Sequence, residues 1–237
     1  MKKVISILCP LIVMALSLCS CSDDNDSTPG LDKTEITLYV EETITLTYSG
    51  GDCTWTSDNP LIASVENGII TANHVGETVI HANDANCKVI VKPHYTRFYE
   101  PYITWGEGKE KVKEYMKNYE IEKENSNQLA YKGSESTLYY AYTFENGKLN
   151  GSGFATELFE STYLMSYLLE RYIPISNEGT TYIFMSPDKK TGIGLRIYSS
   201  YLMVGYVPSD SNTKSIGTTI QDILSDINQK IENTIKQ

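Results

Sequence analysis

The stretch CTWTSDNPLIASVENGIITANHVGETVIHANDANCKVIV, Cys53 to Val91, is a chain of short alternations interrupted at close intervals by turn residues. Cys53-Thr54-Trp55-Thr56, Ala63-Ser64-Val65, Ile69-Ile70-Thr71-Ala72, Thr78 to Ala82 and Cys87 to Val91 are rich in β-branched and apolar residues at every second position. A period of two is the mark of a half-buried strand, because successive side chains point to opposite faces. Asp58-Asn59-Pro60, Glu66-Asn67-Gly68 and Val75-Gly76-Glu77 supply the turns between them. Working outward toward the N-terminus, Ile36 to Val40 and Thr43 to Tyr48 have the same character, and Ser49-Gly50-Gly51 separates them from Cys53. Seven short strands at this spacing predict an all-β sandwich over residues 31–93.

The pattern Trp55-Thr56-Ser57, Asn59-Pro60, Ala63-Ser64-Val65, Asn67-Gly68 and Gly76-x-Thr78-x-Ile80 resembles the bacterial Ig-like domain, group 2, and the likeness spans the whole of 31–93. The resemblance implies an Ig-like sandwich of the kind found in surface adhesins and as a spacer in cell-envelope proteins. It brings no catalytic residues with it.

The N-terminus points to the envelope as well. Lys2 and Lys3 precede an apolar run from Val4 to Leu18, too short for a bilayer-spanning helix and of the length of a secretory signal. Leu18-Cys19-Ser20-Cys21 resembles the bacterial lipobox, with an aliphatic residue three places before a cysteine and a small residue directly before it. By position, the resemblance implies that residues 1–20 are a signal peptide and that Cys21 carries the lipid anchor. The acidic run Ser22-Asp23-Asp24-Asn25-Asp26 resembles a surface-export signal of some Gram-negative lipoproteins and also suits a solvated tether, which occupies 21–30. The expected location is the outer membrane, at the cell surface. With Cys9, Cys19 and Cys21 assigned to leader and anchor, Cys53 and Cys87 remain. An even pair in an exported chain predicts a disulfide, and in an Ig-like sandwich the loop before the third strand and the last hairpin lie at one end. The alternative is two buried free thiols.

Residues 94–237 follow a different rule. Val112, Tyr115, Met116 and Tyr119 form a helical stripe at i, i+3, i+4, i+7, and Met165, Leu168, Leu169 and Tyr172 repeat it fifty-three residues later. The same offset pairs Leu129 and Tyr131 with Tyr182 and Phe184. It also pairs Tyr140, Tyr142 and Phe144 with Ile193, Leu195 and Ile197, and Leu149 with Leu202. The offset predicts an α+β domain of two copies, each a helix plus three strands, forming one antiparallel sheet with helices on one face. This is loosely similar in topology to duplicated TATA-binding-protein-like and β-lactamase-inhibitor-like folds, a likeness that says nothing about activity. Tyr95 to Ile103 is expected to add a strand before the first helix. Ile220, Ile223, Leu224, Ile227 and Ile231 predict a closing amphipathic helix.

Sixteen of the chain's 18 tyrosines lie in this second domain. On the strand face opposite the paired positions, Tyr139, Ile183, Met185, Arg196, Tyr198, Tyr201 and Met203 are too apolar for a plain solvated surface. Tyr139, Arg196, Tyr198, Tyr201 and Met203 are therefore the candidate contacts for a glycan or a protein, since tyrosine couples a flat apolar ring to a polar tip.

The formal charge is −10, falling to −12 once Lys2 and Lys3 leave with the leader, which argues against a nucleic-acid partner. The histidines, His74, His81 and His94, lie in or beside the sandwich with no HExxH, CxxC or His/Asp cluster, so no metal and no cofactor is expected. Gly192-Ile193-Gly194 lacks the strand–turn–helix setting of a nucleotide fingerprint, and no Gly-x-Ser-x-Gly elbow is present. The sequence thus predicts a non-enzymatic binding or adhesion lipoprotein with the Ig-like domain as spacer. A structural subunit of an envelope complex or homo-oligomer is the main alternative, and a hydrolase using scattered acids a weaker one.

Overall fold

Alternation becomes pairing in β1 (Glu35–Tyr39), β2 (Thr43–Thr45), β3 (Trp55–Ser57), β4 (Ala63–Glu66), β5 (Ile69–Ala72), β6 (Gly76–Ala82) and β7 (Ala85–Lys92). In the computed structural model, which describes residues 28–209, these strands form two sheets, β1-β7-β6-β3 and β2-β5-β4. The inward-facing residues of both sheets, among them Leu38, Leu46, Ile70, Ile80 and Val89, share one core. Asn67 and Gly68 between β4 and β5 both have positive φ, 49° and 80°. That is the two-residue turn whose twist matches the flanking strands.

The predicted disulfide is not present: Cys53 and Cys87 are free thiols. Register explains why. Ser57 of β3 pairs with Ile80 of β6, and Ile80 pairs with Cys87 of β7. Cys53 lies four residues before Ser57, beside Thr54, which exchanges backbone and side-chain hydrogen bonds with Asn83 at the β6–β7 turn. About 13 Å of strand and two strand spacings separate the cysteines, beyond the roughly 7 Å Cα separation a disulfide spans. Cys87 is fully buried, and burial pushes its thiol pKa up.

The second half comprises α1 (Lys109–Tyr115), β8 (Ile121–Asn125), β9 (Gln128–Lys132), β10 (Tyr139–Glu145) and β11 (Lys148–Glu157). It continues with α2 (Ser161–Leu169), β12 (Ile173–Glu178), β13 (Thr181–Met185), β14 (Thr191–Ile197) and β15 (Tyr201–Pro208). One antiparallel eight-stranded sheet results, in the order β12-β13-β14-β15-β11-β10-β9-β8. Four strands follow each helix, where the sequence predicted three. The added strands, β12 and β8, are the two edges of the sheet. Every residue of β8, Ile-Glu-Lys-Glu-Asn, is exposed, and β12 contains Pro174. The charges of β8 and the proline of β12 discourage further pairing at the two open edges.

Both helices pack on one face of this sheet. Val112 and Met116 from the α1 side and Leu164, Tyr167 and Leu168 from α2 join Leu129, Tyr140, Phe154, Ile193 and Val204 in one core. Tyr95 to Ile103, expected as a strand, is irregular. Side chains take up its backbone donors instead: Thr96 and Arg97 donate to the Tyr163 hydroxyl at 3.0 and 3.1 Å, and Tyr102 donates to the Tyr142 hydroxyl at 3.3 Å. The described protein is thus sheet-rich with two α-helices. The leader, Cys21, the acidic tether as far as Ser27 and the closing helix predicted at Ile220 to Ile231 lie outside the described residues.

The two halves are joined through Glu170, just after α2. Its buried carboxylate accepts the backbone N–H groups of His94 and Tyr95, both at 2.9 Å, and its carbonyl accepts the N–H of Val75 in the sandwich at 2.8 Å. The His94 ring stacks on Tyr39 of β1 at 5.2 Å. Asn59 of the sandwich donates to the Pro187 carbonyl beyond β13 at 3.2 Å.

Candidate functional site

The C-terminus of α1, the turn into β8 and the end of β9 enclose a groove of about 550 Å³. Tyr99, Tyr115 and Tyr119 form one wall, and Asn118, Glu120, Lys132 and Ser134 supply polar groups around it. Tyr99 is the centre of the aromatic set. Its ring stacks on Tyr115 with centroids 5.1 Å apart and planes 27° from parallel, and on Tyr119 at 5.8 Å and 28°. Tyr99 and Tyr115 are 40% and 37% exposed, so part of each ring reaches solvent while the stack holds its position.

Packing holds the platform from behind. The Tyr115 hydroxyl donates to the Glu100 carbonyl at 2.9 Å. Tyr119 meets the buried Tyr140 edge to face at 5.3 Å, and the Tyr140 hydroxyl donates to the Tyr99 carbonyl at 3.2 Å. Burial pushes the Tyr115 and Tyr140 phenols well above their ordinary pKa, so both are neutral hydrogen-bonding groups. The far wall needs Gly133: a Cβ there would run into the Thr137 carbonyl, because residues 134–137 fold back tightly onto it. The groove therefore offers partly exposed aromatic rings, an amide, a hydroxyl, an ammonium and a carboxylate, the mix of apolar body and few polar groups typical of small-ligand sites.

The residues singled out from sequence lie elsewhere, on the sheet face opposite the helices. Strand register puts Tyr139, Met203 and Arg196 in one row across it, with Ala155 between Tyr139 and Met203. Tyr198 and Tyr201 stack at 4.8 Å with planes 18° apart, and the Arg196 guanidinium lies 5.3 Å from the Tyr198 centroid. Burial pushes the Tyr139 phenol pKa up to about 12. Two of the five are corrected by their burial: Met203 is 0% and Tyr201 7% exposed, packed with Ile183, Met185 and Val207 in a second apolar cluster. Met203, with no accessible surface, is not a ligand contact, and Tyr201 offers almost none. The structure thus brings the five together but as a packed layer.

No protein-family model matches this chain, and no curated protein matches it.

Among the described residues no group of three or more His, Cys, Asp and Glu side chains is placed to hold a metal ion. One carboxylate, Glu120, lies among the described groove-lining residues, where two-carboxylate hydrolysis uses a facing pair. Sequence reasoning missed Tyr99, Tyr115 and Tyr119 as a set. It assigned Tyr99 to a strand and Tyr115 and Tyr119 to a core-facing stripe, whereas α1 ends at Tyr115 and only Val112 and Met116 of that stripe are fully buried.

Behind the groove lies an acid with an unusual setting. The Glu100 carboxyl meets the hydroxyl of buried Tyr172. Burial raises its pKa above the ordinary carboxylate value, with the Arg171 guanidinium acting in the opposite direction. A raised folded-state pKa means that the folded protein holds a proton the unfolded chain releases. This stability is present in full below the ordinary carboxyl pKa and is lost as pH rises toward the folded value. Glu100→Gln is expected to remove that decline and to leave the protein more stable than the parent at neutral pH. Urea unfolding in steps from about pH 4 to about pH 8 measures it, a tenfold difference in proton affinity between folded and unfolded chain being worth about 1.4 kcal/mol.

Proposed function

We propose that this protein is a lipid-anchored, surface-exposed binding module of the outer membrane, with an Ig-like group 2 sandwich as spacer and a duplicated α+β domain that holds a glycan in the Tyr99–Tyr115–Tyr119 groove. The observation that carries the ligand class is the groove itself. Pyranose rings present flat C–H faces and a rim of hydroxyls, which complement stacked phenol rings bordered by an amide, an ammonium and a carboxylate. The duplication is supported by element spacing: β13 (Thr181–Met185) lies fifty-three residues after β9 (Gln128–Lys132) at both ends, and each helix precedes four strands. The anchor reading rests on Leu18-Cys19-Ser20-Cys21, and the spacer reading on the Asn67-Gly68 and Trp55-Thr56-Ser57 pattern.

The test is a glycan array probed with soluble protein beginning at Ser22, followed by titration of any glycan retained. Tyr99→Ala and Lys132→Ala are each expected to weaken binding about tenfold, or 1.4 kcal/mol; the thermal midpoint is expected to change little in Lys132→Ala and to fall in Tyr99→Ala, which loses two ring stacks worth about 0.5–1.5 kcal/mol each. Retention of no glycan, or binding indifferent to both substitutions, overturns the reading.

A second reading, a structural subunit of an envelope assembly, is favoured by one observation. Leu158 and Phe159, between β11 and α2, are consecutive exposed apolar residues, Phe159 being 79% exposed. Apolar side chains left open in this way mark contact surfaces when they cluster.

A further inference from the structure

On the face of the eight-stranded sheet opposite α1 and α2, apolar side chains are buried although no described element outside the sheet strands and their turns belongs to their cluster. Met203 and Val207 are 0% and Ala155 1% exposed, yet their cluster consists wholly of residues on the sheet strands and the β14–β15 turn. Neighbours in a single layer shield one another from the side but not from above. Tyr198 and Tyr201, at the margin of the same face, are each engaged in an interaction beyond their mutual stack.

The surface has a shape. Gly153 of β11 pairs with Gly205 of β15, and Gly205 pairs with Gly194 of β14, so three glycines lie side by side across the middle of the sheet. They alternate with Phe154, Val204, Ile193 and Leu195, which face the helices, so the row belongs to the opposite face. Ile183 and Ala141 close its two ends, opposite Gly194 and Gly153 respectively. The row is a shallow trough floored by backbone and walled by Met203, Ala155, Met185 and Val207. All three glycines are buried. Glycine rows of this kind let a second element approach the backbone closely.

We propose that the trough is the docking surface for the chain's own C-terminal segment, with Ile220, Ile223, Leu224, Ile227 and Ile231 lying along it as the apolar face of a helix. Twenty-eight residues, 210–237, follow the last described residue, Ser209. They leave from β15, a strand in the middle of the sheet, directly beside the trough. The five aliphatic residues recur at i, i+3, i+4, i+7 and i+11, with Gln221, Asp222, Ser225, Asp226 and Gln229 between them, so one face is apolar and the other polar. Lengths agree: twelve helical residues run about 18 Å, and five adjacent strands span about 19 Å. The ten residues from 210 to 219 are enough chain to turn back from the end of β15. The sheet is then sandwiched between helices on both faces, and the Tyr198–Tyr201 margin borders an intramolecular joint. This inference is independent of the groove, which lies on the other side of the sheet.

The test uses the soluble chain from Ser22 to Gln237, with dilute hydrogen peroxide as a probe of methionine access and backbone hydrogen exchange as a probe of the segment. Met203 is expected to oxidise at least about tenfold more slowly than in the unfolded chain, and amides 220–231 to be protected. In Ile223→Asp/Ile227→Asp both protections are expected to be lost together, while near-ultraviolet circular dichroism reports the helix-side core still formed. Should the variant not fold, the parent chain alone decides. Free exchange of 220–231, rapid oxidation of Met203, or a concentration-dependent dimer whose dissociation exposes Met203 each overturns the proposal, the last by giving the trough to a second copy.

Discussion

Glu170→Ala is expected to destabilise the protein by about 3–5 kcal/mol and to split a single unfolding transition into two. The substitution removes the acceptor of two backbone donors, His94 and Tyr95, and hydrogen bonds to a charged group are worth about 1.5–3 kcal/mol each. Those donors sit where the sandwich hands over to the second half, and the neighbouring Arg171 guanidinium, 3.8 Å from the carboxylate, loses its ion pair while keeping its bonds to the Tyr167 and Tyr95 carbonyls. Glu170→Gln keeps one acceptor oxygen in place and is expected to lose about 1–2 kcal/mol. Urea unfolding in two single-tryptophan backgrounds measures the difference, Trp105→Phe leaving Trp55 to report the sandwich and Trp55→Phe leaving Trp105 to report the second half. Coincident transitions in Glu170→Ala would show that the remaining contacts, Asn59 to Pro187 and Tyr39 to His94, suffice to couple the halves.

Phe154→Ala is the second large effect, also about 3–5 kcal/mol. Phe154 lies on β11, one of the two central strands, where its ring meets Phe98 at 5.5 Å, Tyr140 at 6.1 Å and Tyr206 at 6.4 Å. Those neighbours belong to the irregular 95–103 segment, to β10 and to β15. A cavity here is therefore bounded by well-paired strands that cannot collapse into it, which places the cost at the upper end of the range for core truncations. Phe154→Leu is expected to cost about 1–2 kcal/mol. An unchanged slope of unfolding free energy against urea would show that the loss is one of packing and leaves the exposed area of the unfolded chain alone.

How much of this was legible in the residues depended on whether a single physical requirement governed each segment. Burial governs the sandwich strands and β9, β10, β13 and β14, and there simple alternation located the strand and its inward face. Leu129, Tyr140, Phe184 and Leu195 all lie in the core assigned to them. At the sheet edges the governing requirement is avoidance of further pairing, so β8 carries no apolar pattern from which alternation could locate it. The Tyr95–Ile103 segment is apolar enough for a strand but is held by tyrosine hydroxyls and a carboxylate from distant parts of the chain, which no local pattern records. Cys53 and Cys87 were paired by number, whereas their separation is set by where β3 meets β6. The groove stayed hidden because tyrosine satisfies both a core stripe and a surface platform. Met116 and Tyr115 are adjacent in sequence, yet the first is buried and the second lines the groove. On the opposite face the apolar excess was legible, but not whether it was open or covered.

The pairing of β1 with β7 has a mechanical consequence. The two strands run parallel over five registered residues, from Glu35 beside Lys88 to Tyr39 beside Lys92. The chain enters β1 from the N-terminal side, and leaves β7 toward the second half at the opposite end of the same pair. A pull between an N-terminal tether and a ligand gripped by the second half therefore acts along both strands in opposite senses. The interstrand bonds are loaded together in shear, and none can open before its neighbours as in unzipping a hairpin. On the proposed reading, with the chain anchored at its N-terminal side and a target held by the second half, this strand pair carries the tension in the arrangement best suited to resist it.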